Sequence, residues 1–253
     1  MRFLLQKRNE VEVEPRVNVL WQFCQRAFFI KKKELEEKQT MDYFLSLFPQ
    51  LASGIGITLK LFFFTIIGSV PLGILFAFCL ASKFSPLRWL TQVYIWLMRG
   101  TPLLLQLIFV FYGLPLINIV FERFDAAVFA FILNYAAYFA EIFRGGIQSI
   151  PQGQYEAAQV LRLSPVQTIR KIIIPQVMKI TLPSVGNEII SLVKDTSLIY
   201  ILGLSDVMRI GKIAMERDTT LVPLIGVGLV YLVMTGICTV ILKQLEKRLD
   251  YYR

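Results

Sequence analysis

Between positions 56 and 80 the chain runs through apolar residues with one interruption, Lys60, and that run is longer than the roughly 20 residues a helix needs to cross a bilayer. Lipid offers no hydrogen-bond partners, so a chain in such a run satisfies its own N–H and C=O groups by forming a helix. Four further runs follow, at about 101–120, 126–143, 184–202 and 221–242, and a shorter one at 89–98 is expected to lie in the interface. The expected fold is therefore all-α, a polytopic membrane protein with five transmembrane helices. Composition agrees: 55% of the 253 residues are hydrophobic, 20 are Phe, and the mean hydropathy is +0.58.

The same reading removes several function classes. The chain has no histidine, which excludes Ser-His-Asp hydrolysis, HExxH zinc sites and His-ligated haem. Cys24, Cys79 and Cys238 are isolated and read as apolar space-fillers. No GxxxxGK[ST] phosphate loop is present, so no ATP site of that kind is expected. No catalytic residue, metal or cofactor is expected. The net charge of +9 could suggest nucleic acid, but the basic residues flank apolar runs instead of clustering on a soluble element, so none is expected.

Residues 149–183, SIPQGQYEAAQVLRLSPVQTIRKIIIPQVMKITLP, form a polar island between the third and fourth runs. Ser164, Pro165 and Gln167 read as a helix start: a hydroxyl cap, a first-turn proline and a glutamine able to close a capping box. That helix is expected to stop by Pro175, because proline disfavours helical geometry in the residue before it. A first short helix is expected over 154–161, joined to the second near Arg162.

The island resembles the EAA loop of permease subunits in ATP-binding-cassette importers. The match is Glu156, Ala157 and Ala158, then Arg162 where the family has glycine, then Ile172, Ile174 and Pro175. Two longer strings, RGTPLLLQLIFVFYGLP from Arg99 and KDTSL from Lys194, resemble the polar amino-acid branch of those permeases. The resemblance covers about 45–250. It implies two ATP-binding subunits, a second permease copy or sibling, an extracytoplasmic amino-acid-binding protein and a place in the bacterial cell membrane. It also implies that the island is a cytoplasmic coupling-helix loop, in which Glu156 contacts an ATPase cleft, Ala157 and Ala158 permit close approach, and Ile172 and Pro175 close the motif. Arg162 departs from the pattern, since a left-handed turn there would cost a non-glycine residue about 1–2 kcal/mol.

With the island inside, twelve basic residues fall on inner loops and the tail, and four, Arg123, Arg209, Lys212 and Arg217, on outer loops. That imbalance favours this orientation. Residues 1–40 dissent, with nine Lys/Arg and six Glu, and they are expected to be a charged extension upstream of a native start at Met41, leaving 41–253 as the permease domain.

The fourth run contains Glu188, Lys194 and Asp195. Each charge costs roughly 2.5–3.5 kcal/mol at a helix centre, so three approach ~9, against about 4 returned by the apolar neighbours. Such a helix faces a bundle interior or a polar cavity. Glu188, Ser191 and Asp195 share one helical stripe, as do Asn134, Tyr138 and Glu141 on the third run. The candidate substrate path is Asn134, Tyr138, Glu188, Ser191 and Asp195, whose carboxylates could hold the ammonium of an amino acid. By resemblance, acidic residues of this helix line the site in the branch carrying basic amino acids. Mutual neutralisation of Lys194 with Asp195 or Glu188, and of Glu141 with Arg144, is the structural alternative. For function, the alternative is a stand-alone secondary transporter or channel, for which a charged midplane is also expected.

Overall fold

The computed structural model describes the backbone of residues 15–249 and the side chains of 42–248. The described residues form helices joined by short turns, with no strand. The chain divides into two units, Met1–Leu47 and Phe48–Arg253. The described part of the first is helical from Pro15 onward, in the helix α1 (Pro15–Ala81). For the expected extension, residues 1–14 and the side chains up to Met41 lie outside the described residues.

The apolar stretch of α1 ending at Ala81 is one of three helices long and apolar enough to cross a membrane alone, with α4 (Arg123–Gln148) and α9 (Val222–Leu249). Their shared core is built from Leu61 of α1, Phe131, Tyr135 and Phe139 of α4, and Leu192 and Val193 of α7 (Ile174–Asp195), all buried. Gly73 lets α1 approach α4 closely: a Cβ there would lie 2.6 Å from Phe139 Cβ and 3.1 Å from the Ala136 carbonyl oxygen. Ala136, Ala137 and Ala140 continue that small-residue seam and are fully buried. Small residues let helices pack in lipid, where no hydrophobic force drives them together.

The second expected span takes a different form. Helices α2 (Ser85–Gly100) and α3 (Leu103–Ile108) meet at a break, and the two arms, Ser85–Gly100 and Leu103–Ile117, are bent by 105°. Pro102 drives Thr101 into extended geometry, φ −119° and ψ 144°, as a residue before proline prefers. Beyond α3 the chain passes through a wide π turn, Phe109–Gly113, and a tight turn, Leu114–Ile117, closed by Asn118 at φ 65°. Residues 118–120 thus leave the expected span, and 89–98, expected to lie alone in the interface, forms one arm of the broken pair.

The third expected span, 126–143, is extended at both ends by α4. The fourth requires a larger correction. Pro175 does not stop a helix: after α6 (Pro165–Thr168) a π turn, Ile169–Ile173, leads directly into α7, which carries Pro175 in its first turn and continues through Pro183 to Asp195. The π turn widens the backbone just ahead of the proline, with the Ile174 N–H bonding back five residues to the Ile169 carbonyl, so the missing N–H of Pro175 interrupts no regular ladder. Helix α7 packs against both α4 and α9. It is not among the helices long and apolar enough to cross a membrane alone.

Candidate substrate path and coupling loop

Helix α7 places Glu188, Ser191 and Asp195 on one half-buried stripe. Facing it from α4 is Tyr135, whose hydroxyl donates to Asp195 Oδ2 at 2.7 Å. Tyr135 is 2% exposed and Asp195 half-buried, and a phenol donating to a carboxylate makes a charge-assisted bond. Tyr138, one turn on, faces the same region at half exposure and packs beside Tyr135, with ring centroids 6.2 Å apart. The Arg99 guanidinium stands 5.4 Å from the centre of the Tyr138 ring, within cation–π range. Lys194 is exposed and forms no ion pair among the described residues. Glu141 is paired: Arg144 donates from Nε at 2.9 Å and also from Nη2, and Arg99 lies 4.0 Å away. Glu141 is thus neutralised by direct ion pairs, whereas Asp195 has none among the described residues and accepts its hydrogen bond from Tyr135.

Asn134 is engaged by the neighbouring segment. It is 4% exposed, and its amide donates to Gln106 Oε1 at 3.0 Å and to the Met98 carbonyl at 3.1 Å. Gln106 in turn donates to the Met98 carbonyl and to Thr101 Oγ1. These two amides satisfy backbone groups that the break between α2 and α3 leaves without helical partners. Asn134 thus braces the broken segment. Tyr135 is the residue that sequence reasoning missed on α4, and Gln106, a lone amide within LLLQLIF, was the available signal for the brace.

The 149–183 segment begins with α5 (Gln152–Val160). Its end is a left-handed cap: Leu163 N–H bonds the Ala158 carbonyl, Arg162 N–H bonds the Gln159 carbonyl, and Arg162 sits at φ 54°. The paired 6→1 and 5→2 bonds define a Schellman cap, with arginine where glycine is the unstrained residue. Ser164 and Gln167 then close a capping box, Oγ accepting from Gln167 N–H at 3.3 Å and Gln167 Oε1 from Ser164 N–H at 2.9 Å. The loop is anchored by a small core of Ile150, Ile173 and Val177, with Tyr155 and Ile172 packed against it. Gln176 donates to the Ile172 carbonyl at 2.9 Å and reaches Gln154 at 3.4 Å.

Glu156 and Ala157 are exposed on α5, whereas Ala158 is 1% exposed. Close approach by a partner is open to Ala157 but not to Ala158, whose small side chain faces inward from the one-sided short helix. Pro175 is exposed at the start of α7. Val160 and Leu161, 83% and 68% exposed, place apolar surface beside Glu156.

Residues 69–251 match the family model described as the binding-protein-dependent transport system inner membrane component. The L-cystine transport system permease protein TcyB of Bacillus subtilis (strain 168) is 36% identical over 82% of this chain and 89% of its own length. The arginine transport system permease protein ArtQ of the same organism is 39% identical over 79% and 93%. The putative glutamine transport system permease protein GlnP of Rickettsia conorii (strain ATCC VR-613 / Malish 7) is 33% identical over 82% and 98%. Among solved structures, an amino acid ABC transporter crystallised with histidines superposes with a TM-score of 0.74 at 35% identity, covering 79% of this chain and 94% of that one. The inward-facing MetNI methionine ABC transporter shares the fold, with a TM-score of 0.66 at 17% identity over 79% and 96%. With its bent second segment, its charged α7 and its short-helix loop, the chain belongs to the family of binding-protein-dependent transport system inner membrane components.

Proposed function

We propose that this chain is the membrane-spanning subunit through which polar amino acids are imported across a bacterial cell membrane. The observation that carries the substrate class is the Tyr135–Asp195 pair with Glu188 two turns away on the same stripe. A carboxylate held by a phenol among apolar helices is costly unless it has a task, and holding the ammonium of a zwitterion is such a task. Relatives named for cystine, arginine and glutamine support the polar class without selecting a member. Glu188, Ser191 and Asp195, with Tyr135 and Tyr138, line the path, and α7 completes a set of five spans.

ATP is hydrolysed elsewhere, by two ATP-binding subunits that dock on the cytoplasmic 149–183 loop. Glu156, Ala157, Val160 and Leu161 form the contact surface: a charge beside exposed apolar groups on a loop whose position is fixed by the Ile150–Ile173–Val177 core. A second permease copy or sibling completes the pathway, and an extracytoplasmic amino-acid-binding protein delivers the substrate. A stand-alone carrier would leave that anchored, partly apolar loop without a purpose. Purified with its ATPase subunits and binding protein in proteoliposomes, the transporter should take up a labelled polar amino acid only when ATP is supplied. Uptake driven by an ion gradient without ATP would overturn the reading.

A further inference from the structure

A cavity of about 870 Å³ lies between α2 and α4, with Leu80 of α1 also lining it. Its polar wall is Arg88, Gln92 and Arg99 from α2 and Glu141, Arg144 and Gln148 from α4. None of Tyr135, Tyr138, Glu188, Ser191 or Asp195 lines it. The charge balance is unequal. Glu141 is shared by Arg144, which also donates to Gln148 at 2.6 Å, and by Arg99 at 4.0 Å. Arg88 forms no ion pair among the described residues. One carboxylate thus stands among three guanidiniums and pairs with two of them, so the cavity carries an excess of positive charge.

The strip of α2 beside the cavity is of opposite character. Trp89, Leu90, Val93 and Trp96 are exposed, Trp96 at 75%, and Trp96 also borders the cavity. A helix with arginines along one face and exposed tryptophans beside them has the signature of an element seated at a membrane interface. The cavity sits at the end of α4 that leads into the 149–183 loop, which is the cytoplasmic end if the import reading holds, and that reading is the basis for the leaflet named here. The cytoplasmic leaflet carries the anionic lipids, and basic pockets between helices on that side suit their headgroups.

We propose that the α2–α4 cavity binds the headgroup of an anionic phospholipid of the inner leaflet. Arg88 supplies the unpaired cation, Arg144 and Arg99 the flanking ones, and Gln92 and Gln148 neutral donors. The acyl chains leave along the exposed Trp89–Trp96 face of α2. The volume falls within the ~300–1,000 Å³ of small-ligand pockets.

The test uses the transporter complex in phosphatidylcholine vesicles, with Trp21→Phe, Trp89→Phe and Phe at every tryptophan of the partner subunits, leaving Trp96 as the reporter. Brominated phosphatidylglycerol should quench Trp96 several-fold more than brominated phosphatidylcholine at equal mole fraction, and the difference should vanish in Arg88→Gln. Equal quenching by the two lipids would overturn the proposal without recourse to any arginine variant. So would an unchanged phosphatidylglycerol preference in Arg88→Gln combined with Arg144→Gln. Abolition of the preference by inorganic phosphate would assign the cavity to a free anion and overturn the lipid assignment. Loss of ATP-dependent uptake with the quenching difference intact would count against the import reading and remove the leaflet assignment, leaving the anionic headgroup site itself standing.

Discussion

The Tyr135 hydroxyl donates to Asp195 Oδ2 at 2.7 Å, joining α4 to α7 across 60 positions of sequence within the core of the helix bundle. A hydrogen bond to a charged group contributes about 1.5–3 kcal/mol, and a buried partner left unsatisfied costs a similar amount. Asp195→Ala should therefore reduce uptake to near background while insertion and pairing with the ATPase persist. Tyr135→Phe should raise the KM for uptake by about tenfold, the equivalent of ~1.4 kcal/mol. Uptake assays with a copurification control decide both, and normal rates with normal KM would reduce the pair to a structural contact.

Glu156 is exposed on α5 beside Val160 and Leu161. Glu156→Lys should abolish substrate-stimulated ATP hydrolysis by the partner subunits without altering membrane insertion. Stimulation at the normal level would remove Glu156 from the docking surface.

Arg162 occupies the left-handed cap at φ 54°, a geometry that costs a non-glycine residue about 1–2 kcal/mol. Arg162→Gly should raise the thermal midpoint of the purified complex and leave ATPase coupling equal or improved. A fall in either would mean that the guanidinium has a partner in the assembled transporter.

Gly73 leaves no room for a side chain, since a Cβ would lie 2.6 Å from that of Phe139. Gly73→Val should force α1 and α4 apart and destabilise the bundle by about 1–3 kcal/mol. Thermal unfolding in detergent should show a midpoint lower by several degrees, whereas the same change at Gly56, where a Cβ meets nothing within 4 Å, should have a smaller effect.

The twelve-to-four division of basic residues sets an orientation that labelling can check. In a background lacking Cys24, Cys79 and Cys238, Gln159→Cys should react with a membrane-impermeant reagent only from the cytoplasmic side, and Met208→Cys only from outside. Reversed reactivity would overturn the topology and the coupling role of the loop together.

Features governed by near neighbours were legible from the residues alone. Ser164, Pro165 and Gln167 specify a capped helix start because all the groups involved lie within one turn, and the long apolar runs specify helices because lipid leaves the backbone no other partner. The left-handed turn could be anticipated at Arg162 for the same reason: its two cap bonds close within six residues. Features that depend on distant partners were not legible. Asn134 and Tyr135 are adjacent in sequence but about 100° apart around a helix axis. Periodicity identified that polar edge of α4, but only the packing of α2, α3 and α7 decided that Asn134 faces Met98 and Gln106 while Tyr135 faces Asp195. Pro175 could be read as a stop because proline's local preference is clear, yet the π turn before it absorbs the missing N–H and α7 continues. Burial of Ala158 was decided in the same way, by which side of α5 rests on the chain. Local geometry is set by short-range sterics and hydrogen bonds that the residues themselves carry, whereas the direction a helix face points is set by the helices around it.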